Sequence, residues 1–259
     1  KKHTNAPYEI IWMQLSKDPN SFWYSDPEKG EGWNTERWVT PFSGFRWGIP
    51  AFCNFEGKAI YMDADIFVLS DIQKLWEHPF NEESIVVGKG EPLVTRLCVA
   101  LWDCAKAQKV LPPIKKIKSD PKAHGKLTNM IKKKPSLVTP FNDNYNCLDG
   151  EDLPISEIKI LHYTDIDTQF SHAYSIPRLQ KEGAKHWFDG DVNPHWREDL
   201  TALFNQYYDE ALAAGYSLED YRKPLYGDVL KASQKDYSAF RKVKKKNIIS
   251  RLWKSLRGY

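Results

Sequence analysis

The chain has 259 residues, of which 41% are apolar and 14% aromatic, a composition that excludes a disordered protein. No stretch approaches the roughly 18 consecutive apolar residues of a membrane span, so the sequence predicts no membrane-spanning helix. The net charge of +3 is unevenly distributed, because residues 241–259 carry eight basic residues and no acid. An acidic body with a basic tail argues against a nucleic-acid-binding domain, whose basic surface belongs on the folded part.

The hydrophobic pattern predicts strands that alternate with helices along the chain. The predicted strands are residues 8–14, 58–62, 84–88, 96–102 and 157–162. Residues 17–33 are predicted to form a loop, and the predicted helices are parts of 34–52, 72–77, 123–132, 200–216 and 227–232. Such alternation is typical of an α/β fold.

The four cysteines are widely spaced, and no Cys-x-x-Cys pair occurs among them: they are Cys53, Cys98, Cys104 and Cys147. This spacing predicts neither a zinc site nor a dense disulfide framework. We therefore expect a reducing compartment such as the cytosol.

The basic tail divides the chain into a domain of residues 1–240 and a tail of residues 241–259. In the tail, Ile249, Leu252 and Trp253 fall on one face of a helix, with basic residues around them. A basic amphipathic helix with an apolar Trp suits an anionic membrane surface. The alternatives are a helix that packs on its own domain and a helix that binds a partner protein.

Two carboxylates follow directly after the apolar strand 58–62, in the run Asp63-Ala64-Asp65. Residues two apart in an extended chain point the same way, and the carboxyl ends of strands are where α/β sheets bind ligands. Carboxylate oxygens suit Mg²⁺ or Mn²⁺. Because Asp-x-Asp recurs at 165–167, a solvated turn is the alternative.

A histidine, His162, ends the predicted strand 157–162. A lone histidine is more often structural than a ligand. Together with Asp63 and Asp65, an imidazole at another strand end completes a metal site made of nitrogen and oxygen ligands.

The chain resembles the family 8 glycosyltransferases, the glycogenin and bacterial lipopolysaccharide galactosyltransferase type. The resemblance lies in Arg46-x-x-Ile49-Pro50 and in the run from Gly57 through Asp63-Ala64-Asp65 to Trp76. It implies a GT-A fold, a Rossmann-like nucleotide-diphospho-sugar transferase domain with a mixed central sheet, here followed by C-terminal helices. It also implies Mn²⁺ or Mg²⁺, a nucleotide-sugar donor that is usually UDP-linked, and transfer with retention of anomeric configuration.

The resemblance also implies residue roles. Asp63, Asp65 and His162 correspond to the metal ligands. Arg46, with Ala64 and Asp65, is expected beside the donor. Lys185, in the run Gly183-Ala184-Lys185-His186-Trp187, is our candidate for the displaced equivalent of the family's phosphate-binding lysine. The alternative is a surface lysine beside a core Trp187.

On the acceptor side, Asp143 and then Asn146 stand in the region where family members place an acidic or amide side chain. They are our candidates for orienting the acceptor or stabilising the cationic sugar. The alternative is an Asn-rich turn held by its own side-chain hydrogen bonds.

The chain departs from the family pattern at two places. Thr95-Arg96-Leu97-Cys98 stands near the place of the family's Asn-Ser-Gly strand. In front of the predicted strand 8–14 we expect a strand, a loop and a helix to be missing, about 25–35 residues at ordinary strand and helix lengths. The base-binding half of the donor pocket would then be incomplete.

The sequence therefore predicts a retaining, metal-dependent glycosyltransferase that moves a hexose from a UDP-sugar to a glycan or glycolipid acceptor in surface polysaccharide or lipopolysaccharide synthesis. We expect it in the cytoplasm, peripherally bound to the inner face of a membrane, without nucleic acid. One alternative is a haloacid-dehalogenase-like phosphatase with Asp63 as nucleophile and Asp65 as acid. The other is an inactive transferase-like scaffold.

Overall fold

The computed structural model describes residues 2–38, 42–181, 183, 186, 188 and 190–217. Strands in this part are β1 (Ser25–Asp26), β2 (Glu31–Gly32), β3 (Lys58–Met62), β4 (Ile66–Val68), β5 (Val86–Gly88), β6 (Val99–Asp103), β7 (Val138–Pro140), β8 (Cys147–Leu148) and β9 (Ile160–His162). Its α-helices are α1 (Ile49–Phe52), α2 (Gln73–Trp76), α3 (Cys104–Gln108), α4 (Ile114–Ser119), α5 (Ala123–Lys133), α6 (Phe170–Lys181) and α7 (Glu198–Ala213). The predicted helix 227–232, the tail 241–259 and Lys185 lie outside the described residues.

Two mixed sheets form the centre of the described fold. One sheet has the order β3-β6-β5-β7, in which β5 and β7 are parallel and the other neighbours antiparallel. The second has the order β4-β9-β8, with β4 antiparallel and β8 parallel to β9. Helices accompany both sheets, which confirms the predicted mixed α/β class.

The chain passes from the first sheet to the second over residues 63–65, which we call the sheet junction. On the first side, β3 pairs with β6 so that Met62 lies opposite Val99. The ladder continues one residue further, because the Asp63 N–H donates to the Cys98 carbonyl at 2.9 Å. The register of β3 and β6 therefore places Cys98 directly across from Asp63.

On the second side of the junction, β4 pairs with β9 so that Ile66 lies opposite His162. Here too the ladder reaches into the junction, because the Tyr163 N–H donates to the Asp65 carbonyl at 3.1 Å. Both aspartates are thus fixed by backbone hydrogen bonds, each to a different sheet.

Most of the predicted elements are present in the structure. Strand 58–62 has the predicted bounds, while the predicted strands 84–88, 96–102 and 157–162 are shifted or shortened to β5, β6 and β9. The helices α2, α5 and α7 lie within three residues of the bounds predicted for them. Helix α6 was not predicted, because Pro177 inside it interrupts the helical signal.

The predicted strand 8–14 is wrong, because the structure assigns no strand to these residues. The side chains of Ile10 and Trp12 are 61% and 63% exposed. An apolar run becomes a strand only where a neighbouring strand takes its backbone hydrogen bonds and a packed layer covers one face. In the described part of the chain, no strand pairs with this run.

An aromatic cluster fills the core beneath the N-terminal half. Trp23, Trp33, Trp38 and Phe45 are buried. Phe45 meets Trp23 and Trp38 edge to face, with ring centroids 4.9 Å and 5.5 Å apart, and Trp23 and Trp33 are stacked. This geometry is favoured by the ring quadrupoles. These tryptophans therefore serve the core.

Helix α7 is attached to the second sheet by buried polar contacts. The ring of His195, just before α7, places Nε2 3.2 Å from the Asp149 carboxylate, which also accepts from the Thr164 hydroxyl at 2.7 Å. The Tyr163 hydroxyl donates to the carbonyl of Leu200 in α7 at 3.0 Å.

Among the described residues, no helix combines the length and apolar character needed to cross a membrane.

The aromatic cluster makes Gly44 a sensitive position. A methyl group at Gly44 would overlap the Trp38 indole, a buried ring that cannot move aside without disturbing its neighbours. We expect Gly44→Ala to lower the free energy of unfolding by about 1–3 kcal/mol, as overpacked cores do. The matched control is Gly125→Ala in α5, where a methyl group meets nothing within 4 Å and alanine should stabilise the helix by roughly 0.5–1 kcal/mol. Urea unfolding measures both, and equal effects would contradict the packing argument.

Candidate functional site

Two carboxylates and an imidazole meet at the sheet junction. His162 Nε2 lies 3.1 Å from Asp65 Oδ1 and 3.8 Å from Asp63 Oδ2. The strand registers produce this meeting, because β4 and β9 bring the end of the second sheet to the point where β3 leaves the first. The structure thus brings together the three residues that the sequence identifies as metal ligands.

The three side chains differ in their access to solvent. The side chains of His162 and Asp63 are 5% and 11% exposed, whereas that of Asp65 is 35% exposed. Asp65 also accepts a hydrogen bond from Gln169 Nε2 at 2.9 Å, which fixes the direction of its carboxylate. Asp65 therefore forms the outer edge of the cluster, where a ligand from solvent arrives first.

Arg46 neutralises the inner carboxylate. Its NH2 group lies 3.2 Å and 3.3 Å from the two oxygens of Asp63, and its Nε donates to the Ser43 carbonyl at 3.1 Å. Burial alone would lower the pKa of the guanidinium, but the neighbouring Tyr61 and Asp63 outweigh it and raise the pKa. Arg46 is therefore a permanent cation inside the cluster.

The Tyr61 hydroxyl donates to Asp63 Oδ1. Its pKa is raised well above the usual value, first by burial and then by the charge of Asp63. Tyr61 therefore keeps its proton and holds the carboxylate. The signal for it was present in the sequence, because Tyr61 and Asp63 are two residues apart at the end of one strand and so point the same way.

The imidazole of His162 carries a proton in the metal-free cluster. Burial lowers its pKa, but the hydrogen bond to Asp65 and the neighbouring Cys98 act against burial and raise the pKa to about 10. A metal ion binds the neutral imidazole, so metal binding at neutral pH must release this proton.

Cys98 is the residue that sequence reasoning did not place in the site. Its Sγ lies 3.7 Å from Arg46 NH1. Cys98, Asp63 and His162 each offer a ligand atom, and these atoms all lie within 4.8 Å of one another. The nearest sequence signal was the place of Cys98 in the strand that departs from the family pattern.

The two acceptor-side candidates do not contact this cluster in the described structure. Asp143 lines an open cavity of about 440 Å³ together with Lys89 and Glu151. Asn146 is buried with a left-handed φ of 56°, and its Nδ2 donates to the Arg96 carbonyl at 2.7 Å. Asp143 accepts from the N–H of the next residue at 2.7 Å, as in a turn held by its own side chain. Their catalytic role stays a prediction.

Ala64 lies exposed between the two aspartates, where the junction faces solvent. Its side chain offers no ligand atom, so any contact with a donor would come from its backbone.

The pairing of Arg46 with Asp63 leads to a stability prediction. Arg46→Met leaves a carboxylate in a buried position without its cation, and we expect a loss of about 3 kcal/mol or more in the free energy of unfolding. Urea unfolding checks this against Arg37→Met, which changes an exposed arginine. The double variant Arg46→Met with Asp63→Asn should recover most of the loss. An equal loss in the single and double variants would contradict the charge argument.

Comparisons with known proteins bear on this site. Residues 2–127 match the family model described as Glycosyl transferase family 8. No curated protein sequence matches the chain. Among solved structures, it is similar to the glycosyltransferase GlyE of Streptococcus pneumoniae TIGR4, with 24% identity over 47% of this chain and 37% of that chain and a TM-score of 0.36.

Two further solved structures are similar to this chain. The galactosyltransferase LgtC, in complex with donor and acceptor sugar analogues, shares 14% identity over 54% of this chain and 65% of that chain, with a TM-score of 0.37. Mouse xyloside xylosyltransferase 1, in its apo form, shares 12% identity over 46% and 64%, with a TM-score of 0.33. The chain spans less than two thirds of the length of each solved chain. The family match over residues 2–127 confirms the resemblance to the family 8 glycosyltransferases that was drawn from the motifs.

Proposed function

We propose that this protein is a metal-dependent glycosyltransferase that moves a hexose from a UDP-sugar to a glycan or glycolipid with retention of configuration. The observation that carries the proposal is the convergence of Asp63, Asp65 and His162 at the sheet junction. The two aspartates lie inside the segment that matches the family, and His162 joins them from outside it.

The residues present fit a divalent cation. A carboxylate oxygen of Asp65 lies 3.1 Å and one of Asp63 lies 3.8 Å from His162 Nε2, so both carboxylates face the same ring nitrogen. Carboxylate oxygens and an imidazole nitrogen are ligand types that divalent cations accept in proteins. Asp63, Asp65 and His162 would hold Mn²⁺ or Mg²⁺. When bound, such an ion supplies positive charge against the diphosphate that leaves the sugar.

The residues around the ligands prepare the site. Arg46 and Tyr61 fix both oxygens of Asp63, so that this carboxylate is held in place before any ligand arrives. Gln169 does the same for Asp65 at the outer edge. A preorganised charge distribution of this kind costs no rearrangement during reaction.

The donor and acceptor sides follow from the family resemblance. Lys185 would pair with the diphosphate, and the backbone at Ala64 would face the donor. The open cavity beside Asp143 would admit the acceptor hydroxyl, with Asn146 behind it. We place the reaction in the synthesis of a surface polysaccharide or lipopolysaccharide, and we infer that residues 1–240 form the GT-A domain.

The phosphatase alternative is separated by experiment. A phosphatase of the haloacid-dehalogenase type would use Asp63 as its nucleophile and Asp65 as its acid, and it would release phosphate from small esters. An inactive scaffold would need no chemistry at the cluster, and it would neither transfer sugar nor release phosphate.

Calorimetry of UDP-sugar binding, with and without Mn²⁺, tests the proposed function. We expect binding that requires Mn²⁺ and that Asp65→Ala weakens by at least about 10–100-fold, the loss that even indirect metal partners cause. The matched control is Asp191→Ala, which removes an exposed carboxylate outside the cluster and should bind as the wild type does.

The outcomes separate the alternatives. Release of the free sugar or its transfer to an acceptor supports the transferase, and release of phosphate from small esters supports the phosphatase. Metal-independent binding, or equal binding by wild type and Asp65→Ala, would show that the sheet junction is not part of the donor site.

We also propose that the tail binds an anionic membrane surface from the cytoplasmic side, since the sequence of residues 241–259 combines eight basic residues with apolar residues at helical spacing. The full chain should sediment with vesicles that contain phosphatidylserine and stay in solution with neutral vesicles. A chain that ends at residue 240 should lose this sedimentation. Unchanged sedimentation after the deletion would show that the tail is not the membrane contact.

A further inference from the structure

We propose that Cys98 is a direct thiolate ligand of the metal at the sheet junction, together with Asp63 and His162, so that the centre prefers Zn²⁺ or Co²⁺ to Mn²⁺. The inference rests on the proposed function in so far as it concerns the same site. It departs from the ligand set that the motifs imply, since that set contains oxygen and nitrogen only.

The backbone delivers the sulfur to the site. Cys98 lies across the ladder from Asp63, joined by the hydrogen bond from the Asp63 N–H to the Cys98 carbonyl at 2.9 Å. Side chains of residues paired in this way lie on the same face of the sheet, with Cβ atoms roughly 4.5–5.5 Å apart. The position of Cys98 is therefore a consequence of strand register and not of a mobile side chain.

The ligand atoms are already gathered. One ligand atom from each of Asp63, Cys98 and His162 lies within 4.8 Å of the others, and Cys98 is buried. Zinc binds nitrogen, oxygen and sulfur ligands at roughly 2.0–2.3 Å, which places tetrahedral ligands roughly 3.3–3.8 Å from one another. Atoms that start up to 4.8 Å apart must therefore close by about 1 Å when the ion binds.

The balance of charge favours the thiolate. Arg46 already places one positive charge against Asp63. A divalent ion held by Asp63 and Asp65 alone would leave the buried cluster with an excess positive charge before any donor binds. A thiolate at Cys98 removes this excess, and buried sites are stable only when their charges are compensated.

The chemistry of the ligand atoms sets the preference among metals. A set of one thiolate, one imidazole and one carboxylate suits zinc and cobalt, whereas manganese and magnesium prefer sites made of oxygen ligands. Three protein ligands leave a fourth position open, as in catalytic zinc sites. Asp65, at the exposed edge, borders that position. The spacing of the cysteines excludes a site made of cysteines but not this mixed one.

The other cysteines provide matched controls. Cys104 is buried beside Cys53, which hydrogen-bonds to it, and burial together with Cys53 raises the pKa of Cys104 to about 12. Cys147 donates its S–H to the Asn144 carbonyl at 3.1 Å. Within the described ranges, the group of Asp63, Cys98 and His162 is the one that gathers three possible metal ligands.

The test is a Co²⁺ titration of the metal-free full chain, followed by absorption spectroscopy. A thiolate bound to Co²⁺ gives an intense sulfur-to-metal charge-transfer band in the near ultraviolet, which oxygen and nitrogen ligands do not give. We expect this band in the wild type and in Cys104→Ser, and its loss in Cys98→Ser. Competition with Zn²⁺ should remove the band, and Cys98→Ser should weaken Zn²⁺ binding by about 10–100-fold or more while changing Mn²⁺ binding little.

Three results would overturn the inference: Co²⁺ binding without the band, a band that persists in Cys98→Ser, or no Co²⁺ binding. Circular dichroism of each variant shows whether it is folded, and Asp63→Asn provides a second variant that should also lose the ion. The proposed function is judged separately. Mn²⁺-dependent UDP-sugar binding without the band leaves the transferase standing and removes Cys98 from the ligands, whereas the band without any UDP-sugar binding supports the metal centre alone.

Discussion

Strand register at the sheet junction is the constraint on which the candidate site depends. Asp63 continues the ladder of the first sheet and Asp65 that of the second, each through a backbone hydrogen bond. The partners of the junction come from distant parts of the chain, with Cys98 on one side and Tyr163 with its neighbour His162 on the other. The side chains meet because the backbones are paired, and no loop has to fold onto the site.

The charges of the buried cluster are also compensated by neighbouring side chains. The guanidinium of Arg46 and the hydroxyl of Tyr61 hold one carboxylate, and the imidazole of His162 and the amide of Gln169 hold the other. An acidic cluster on a surface would need none of these partners, since water screens its charges. Our proposal of a charged ligand at the junction accounts for these partners, and the family 8 match over residues 2–127 supports the same proposal.

Much of this could be predicted from the sequence, for reasons that differ between residues. Strand 58–62 and the Asp63-Ala64-Asp65 run after it were predictable because an apolar strand ends abruptly in carboxylates. His162 was predictable only as a strand end, and its approach to Asp65 depends on a register that one sequence does not reveal. Cys98 and Gln169 could not be placed in the site from the sequence, because their contacts arise from pairing and packing over long separations along the chain. The prediction of a strand over residues 8–14 was wrong for the opposite reason, because its local signal is strong but the described fold gives it no pairing strand.

The shortness of the sheet junction has a consequence for how this sequence can diverge. Loops that face solvent ordinarily tolerate inserted or deleted residues, and Ala64 is exposed. Here one added residue would reverse the alternation of side chains on one side of the insertion and turn Asp63 or Asp65 away from His162. The residue at position 64 can therefore be larger or smaller, but no residue can be inserted or deleted there. Length variation among relatives of this chain should be absent at this exposed turn and concentrated between the other strands.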